Sequence, residues 1–239
     1  MLWILYQPYK WLFLAPVVCL LTLITGSLAA ILVFIVNPRT ASMLTGVQWA
    51  RIIAFITPMF VRVTGRENID PEQSYVIVSN HQSQYDILLL YGRLNIDFRW
   101  VMKQELRKIP GLGIACERLG HIFIDRSNSM SAVASLKAAK KKIVSGTSVM
   151  FFPEGTRSKD GNIGVFKKGA FKMALDLGVP VLPVTIIGTR NILPTHSLDV
   201  FPGKVKMIIH KPVDVSEYSN DIQALIEQVR KIIISSTIK

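Results

Sequence analysis

Residues 11–36, WLFLAPVVCLLTLITGSLAAILVFIV, run for 26 residues without a charge, and no other feature limits the fold of this chain so sharply. A stretch of that length and composition reads as a membrane segment. As a straight helix it would reach about 39 Å at 1.5 Å per residue, against roughly 30 Å of bilayer hydrocarbon. The surplus calls for tilt, a bend or a shallow re-entrant path, and Pro16 and Gly26 offer places to bend. A cleaved signal peptide is the competing reading, with SLA at 27–29 as a cleavage site, but the apolar run is too long and continues past it.

Lys10 is the only charge before the run, whereas Arg39, Arg51, Arg62 and Arg66 follow it. The positive-inside rule then places the rest of the protein on the cytoplasmic face of a membrane, the inner membrane in a bacterium. The next stretch, residues 41–63, is apolar apart from Arg51 and Arg62 and carries Trp49 near its middle. It reads as an interfacial helix lying under the domain, or as a core helix of that domain. The expected organisation is an N-terminal pair of membrane-anchoring helices over residues 1–63 and one folded domain over residues 64–239.

The whole chain has 239 residues, half of them hydrophobic, which suits one good core and excludes disorder. Its net charge of +12 implies an anionic partner: nucleic acid, a headgroup surface or a phosphorylated substrate. No nucleic-acid module is recognisable, and the anchor competes for that use of the charge, so a phospholipid membrane is the expected partner and nucleic acid is not. Lys140–Lys142 read as a solvated helix face or a membrane-contacting patch. With only Cys19 and Cys116 there is neither a disulfide framework nor a cysteine-based zinc site.

From residue 75 onward short apolar runs alternate with amphipathic ones. YVIVS, FRWVMK, HIFID, SVMFF, VPVLPVTIIG and KVKMIIH read as strands; SQYDILLLYGRL, GIACERL, SMSAVASLKAAKKKIVSG, KGAFKMALDLG and residues 219–235 read as helices. That alternation predicts an α/β fold with a mixed, partly parallel sheet covered by helices.

In such sheets ligands sit beyond the carboxyl ends of strands, and the polar clusters fall there. NHQSQYD follows YVIVS, Asp125 and Arg126 end HIFI, and PEGTRS follows SVMFF. Asn80 can be a helix N-cap, His81 a partly exposed first-turn residue and Asp86 a solvated helix residue. In a regular helix residues five apart point about 140° away from each other, so His81 and Asp86 meet only if His81 precedes the helix and turns back over it. There the carboxylate would fix the imidazole tautomer and leave one nitrogen as a general base. Arg126 by itself is a surface arginine or an ion-pair partner of Asp125. In FPEGTRS, Pro153 restrains the strand exit, Gly155 permits a tight turn, and Glu154, Thr156, Arg157 and Ser158 follow closely. Arg157 and backbone N–H groups around Gly155 could hold phosphate, with Lys103 adding a cation to the same rim; a plain hydrophilic turn is the alternative. No serine elbow, phosphate loop, dinucleotide fingerprint or metal-spaced His cluster is present.

Taken together, NHQSQYD, GHIFIDR (120–126), FPEGTRS (152–158) and VPVLPV (179–184) resemble the four ordered blocks of the glycerolipid acyltransferase family, over roughly residues 60–210. The resemblance implies His81 as catalytic base, Asp86 as its supporting carboxylate, and Arg126 and Arg157 on substrate phosphate. It further implies site-shaping roles for Asn80, Glu154, Gly155, Thr156 and Pro183, the last near the acyl chain. Acyl-CoA or acyl-carrier protein would be the donor and lysophosphatidate the acceptor, with no metal or redox cofactor; glycerol 3-phosphate or another lysophospholipid is the alternative acceptor, and a non-catalytic membrane lipid-binding protein the more remote reading.

Overall fold

The computed structural model describes residues 2–125, 129–140, 143 and 146–237, with backbone alone for residues 2–5, 129, 130, 132 and 133. Arg126, Lys141 and Lys142 lie outside the described residues.

The chain opens with α1 (Leu2–Tyr9), a π-helical turn (Lys10–Leu14) and α2 (Ala15–Leu32). Together they give one helix, Tyr6–Leu32, long and apolar enough to cross a bilayer. It packs along the rest of the molecule rather than leaving it. The Tyr9 hydroxyl donates to the Ile56 carbonyl, Trp49 Nε1 to Thr22 Oγ1, and Arg118 to the Ala30 carbonyl at 2.6, 3.0 and 2.8 Å. Its other face exposes Trp11, Leu12, Leu20, Ile24 and Ile31. Gly26 is a contact point, not a bend: α2 runs through it unbroken, and a Cβ there would stand 3.2 Å from the Gly111 carbonyl.

Two short helices follow, α3 (Pro38–Leu44), capped by the Asn37 side chain, and α4 (Gly46–Ile56). The single helix expected over 41–63 does not continue to 63. Past Pro58 the apolar period changes from helical to alternating, and β1 (Met59–Thr64) enters the sheet, so a boundary at residue 63 cuts through a strand.

The remaining elements are β2 (Val76–Ser79), α5 (Tyr85–Arg93), β3 (Phe98–Lys103), α6 (Leu112–Arg118), β4 (Ile122–Ile124), α7 (Ser129–Ala139), β5 (Ser148–Phe151), α8 (Gly169–Leu177), β6 (Val181–Ile187), α9 (Thr189–Ile192), β7 (Gly203–Ile209) and α10 (Ile222–Ser235). Among the described residues the sheet has seven strands in the order β1-β7-β6-β2-β5-β3-β4. Five run parallel from β6 to β4; β7 is antiparallel to β6, and β1 runs with β7.

Ile77 in β2 stands between Leu182 and Met150 and faces α4 and α5, while its neighbours Val76 and Val78 face α8 and α10. Period-2 alternation therefore sends consecutive apolar side chains into two cores, which is why the central strands read as unbroken apolar runs. On the second face Phe171 of α8 and Leu225 and Val229 of α10 are fully buried. The ends of β2 and β5, being neighbours at the centre of the sheet, bring their following turns together.

Candidate active site

His81 lies in the turn between β2 and α5, and Asp86 in the first turn of α5. The histidine turns back over the helix start, as the spacing requires, and its Nδ1 is 2.8 Å from Asp86 Oδ2. The same oxygen accepts the backbone N–H groups of Gln82 and Ser83 at 2.6 and 2.9 Å. Asp86 is fully buried, and its Oδ1 has no partner among the described residues. Oδ2 therefore meets two N–H donors at the helix N-terminus as well as the imidazole. An acceptor-only carboxylate places the proton on Nδ1, which leaves the Nε2 lone pair free; Nε2 meets no partner among the described residues.

The imidazole stacks on Phe152, centroids 3.8 Å apart and planes within 9°, and Phe152 in turn stacks on Trp100. Sequence reasoning passed over Phe152 because it reads as one more apolar residue of the strand SVMFF. Its place shows only once β5 lies against β2.

The turn after β5 clamps the histidine from behind. Glu154 Oε1 accepts the His81 N–H at 2.8 Å and Oε2 accepts the Gly164 N–H at 2.9 Å. Burial raises the Glu154 pKa, and the two N–H groups pull it back in part. Ser158 N–H donates to the His81 carbonyl at 2.8 Å, and Thr195 Oγ1 bridges the carbonyls of Gln82 and Ser158. Gly155 sits at φ +75°, a conformation that suits glycine, and its N–H donates to the Phe152 carbonyl. That N–H therefore closes the turn instead of facing a ligand. The donors nearest the dyad are likewise engaged: those of Gln82 and Ser83 by Asp86, and that of His81 by Glu154. In the same turn the N–H groups of Thr156 and Arg157 have no acceptor among the described residues.

Asn80 is fully buried and caps nothing. Its Nδ2 donates to the Ile186 carbonyl at 2.9 Å and its Oδ1 accepts the Ile186 N–H at 2.8 Å, extending the β2–β6 pairing by a side chain. Pro183 is buried inside β6, three residues before Ile186 and so about 10 Å back along the strand; it shapes the sheet rather than the rim.

The cations divide. Arg157 is half-buried and makes no hydrogen bond or ion pair among the described residues. Lys103, at the end of β3, is paired with Glu105 at 2.8 Å. Arg126 lies outside the described residues; among the described ones β4, which ends at Ile124, is separated from β5 by β3. Arg190, which the sequence reading left out, donates to the Lys159 carbonyl at 2.8 Å and holds the same loop that touches His81. Its signal was a cation just after a buried strand, in GTR at 188–190.

A largely apolar cavity of about 520 Å³ lies between the N-terminal helix, α4, α5 and the 193–200 loop; neither His81 nor Asp86 is among the residues that line it. Gln84 and Tyr85, the two residues before Asp86, line it together with Leu14, Val18, Leu88 and Leu193.

The family model described as Acyltransferase matches residues 60–187, more than half of the chain. A chloroplastic 1-acyl-sn-glycerol-3-phosphate acyltransferase of Brassica napus is 39% identical over 79% of this chain and 54% of its own length. A 1-acyl-sn-glycerol-3-phosphate acyltransferase of Borreliella burgdorferi is 34% identical over 72% of this chain and 70% of its own. Among solved structures, the 1-acyl-sn-glycerophosphate acyltransferase of Thermotoga maritima superposes with a TM-score of 0.80 at 30% identity, covering 94% of this chain and 92% of that one. The chain spans about half the length of the chloroplastic relatives it matches. This chain belongs to the acyltransferase family.

Proposed function

We propose that the protein is a membrane-bound acyltransferase that moves a fatty acyl group from a thioester to the sn-2 hydroxyl of 1-acyl-sn-glycerol 3-phosphate, giving phosphatidate. The observation that carries this reading is the His81–Asp86 pair: Nδ1 is committed to a buried carboxylate at 2.8 Å, and Nε2 has no partner among the described residues. A thioester is reactive enough that a positioned base and an oxyanion site suffice, without a serine or cysteine nucleophile on the protein.

His81 Nε2 takes the proton from the sn-2 hydroxyl as its oxygen attacks the thioester carbonyl carbon. A C–O bond forms and the carbonyl oxygen becomes an oxyanion. The N–H groups of Thr156 and Arg157, which have no acceptor among the described residues, are the donors assigned to it. Asp86 balances the imidazolium. The intermediate collapses, the C–S bond breaks, and the departing thiolate takes the proton from His81. Acyl-CoA and acyl-carrier protein present the same thioester, and the mechanism serves either.

The unpaired Arg157 supports a phosphate-holding role, since a guanidinium without a protein partner can grip two phosphate oxygens. Arg126 has the same role by family resemblance alone. Lys103, already paired, is a weaker partner at that rim. The exposed apolar face of the Tyr6–Leu32 helix supports attachment to the membrane that holds both acceptor and product, and the cations after it support a cytoplasmic orientation.

The test is product analysis with the full chain in phospholipid vesicles. Labelled acyl-CoA and acyl-carrier protein are each offered with lysophosphatidate, glycerol 3-phosphate, a lysophosphatidylcholine, or no acceptor. The expected product is phosphatidate labelled at sn-2, from lysophosphatidate only. Free fatty acid without dependence on acceptor would make the protein a hydrolase, preferred labelling of another acceptor would move the substrate, and no turnover would leave a lipid-binding protein.

A further inference from the structure

At the other end of α5 from Asp86 lies a second polar site that the reaction does not use. A pocket of about 290 Å³ opens where α3 and α4 meet the end of α5 and the start of β3. Its walls carry two cations, Arg39 from α3 and Arg51 from α4.

Arg51 is held in place: Nε donates to the Gly92 carbonyl at 2.9 Å and one terminal nitrogen to Asn95 Oδ1 at 3.2 Å. Both acceptors are neutral, so its charge is uncompensated. Arg39 is exposed and has no hydrogen bond or ion pair among the described residues. One carboxylate lines the pocket, Asp97, and it is already engaged by Arg99 at 2.6 Å and by the Thr147 hydroxyl at 3.2 Å. The pocket is therefore positive in sum. Two buried hydroxyls also line it, Ser42 Oγ and the Tyr91 hydroxyl, 2.6 Å apart.

One side of the mouth is apolar: Met43 lines the pocket and is 56% exposed, and its neighbour Leu44 is 55% exposed. The Tyr6–Leu32 helix ends seven residues before Arg39, which sets the pocket at the level where an embedded helix gives way to headgroups. Two guanidiniums without a carboxylate partner among the described residues, beside buried hydroxyls and an exposed apolar lip, match a phosphate joined to acyl chains.

We propose that this pocket is a second lipid site, which takes the phosphate of an anionic phospholipid of the surrounding membrane, with Arg39 and Arg51 as its ligands. It lies outside the reacting groups and would dock the domain on anionic membrane rather than bind a reactant. It rests on the membrane attachment proposed above and on nothing in the acyl-transfer mechanism.

Flotation of the full chain with vesicles tests it, using phosphatidylcholine alone and phosphatidylcholine mixed with phosphatidylglycerol, a phosphodiester that is neither substrate nor product. Binding to the neutral vesicles reads the apolar helix. The preference for the mixed vesicles reads the pocket. Arg39→Gln should lower that preference about fivefold at low salt and leave neutral-vesicle binding and acyl transfer in neutral detergent unchanged. Arg51→Gln should do the same, and Arg39→Lys should keep most of the preference. Because Arg51 also ties the end of α5, Arg39→Gln decides the matter if Arg51→Gln fails to fold. Excess glycerol 3-phosphate separates the two sources of phosphate: a lipid site keeps its vesicle preference in its presence, and a site for free phosphate loses it. Equal loss for Arg39→Gln and for a distant control, Lys211→Gln, would reduce the effect to general surface charge and overturn the proposal, as would an unchanged preference in Arg39→Gln. Absence of binding to any vesicle would instead remove the membrane reading itself.

Discussion

Asp86 and Glu154 both reach His81, yet the first touches the imidazole and the second touches the histidine's own backbone. Asp86 is five residues away and arrives through a local fold of the chain; Glu154 arrives from the turn after a neighbouring strand, 73 residues later. One orients the reacting ring and balances its charge. The other joins the β2 and β5 turns so that the ring has a fixed place to stand. Two carboxylates equally close to one histidine, Asp86 fully buried and Glu154 partly so, can thus serve chemistry and architecture separately, and the atom each one touches tells them apart.

That contrast is broken most directly at the dyad. His81→Ala should lose transfer by roughly a hundred- to ten-thousand-fold while remaining folded and membrane-attached. Asp86→Asn should be impaired in kcat as well, because its amide oxygen can still accept the Gln82 and Ser83 N–H groups but cannot balance an imidazolium. Steady-state kinetics beside thermal melts check both, and near-normal turnover in either variant would end the base mechanism.

A smaller effect is expected at Arg157, the cation without a described partner. Arg157→Ala should lower kcat/KM for the acceptor by about 2 kcal/mol, the scale of a charge-assisted hydrogen bond, with the donor KM moving much less and the melting temperature holding. Arg157→Lys should recover part of the loss, since an ammonium keeps the charge without the fork. A fall in melting temperature with an unchanged acceptor KM would turn Arg157 into a structural residue like Glu154.

Glu154→Gln sharpens the other side. Its amide can accept one of the two N–H groups but not both, so stability should fall by about 1 kcal/mol. The deficit should also depend on pH. Burial raises the Glu154 pKa in the folded protein, so the stability it contributes is fullest below the ordinary carboxylate range and declines as pH rises through the raised value. The gap between native protein and variant should therefore narrow as pH rises from the ordinary carboxylate range, about 4, through the raised value, as followed by melts in detergent. A gap that widens with pH would mean that the carboxylate is stabilised, not penalised, by its surroundings.

The His81–Asp86 pair was legible before any coordinates because everything that makes it lies within one strand-to-helix junction. The same holds for the apolar helix near the N-terminus and for the two-sided central strands. Lys103 was expected at the phosphate rim, and its pairing with Glu105 two residues on could have been suspected from the sequence. Phe152 against the imidazole, Arg190 on the 158–161 loop and Asn80 on the Ile186 backbone could not.

What the chain determined by itself is what short-range periodicity can encode: an uncharged helix, alternating strands and amphipathic helices, a histidine five residues before its carboxylate, and a cation-bearing turn after a buried strand. Only the tertiary structure decided that β1 belongs to the sheet, that β7 reverses against β6, that β2 and β5 are neighbours while β4 stands beyond β3, and that Arg39 and Arg51 share a pocket. The physical reason is that strand order and helix docking are settled by burying both faces of the sheet at once. That condition involves side chains a hundred or more residues apart, and no local pattern records it.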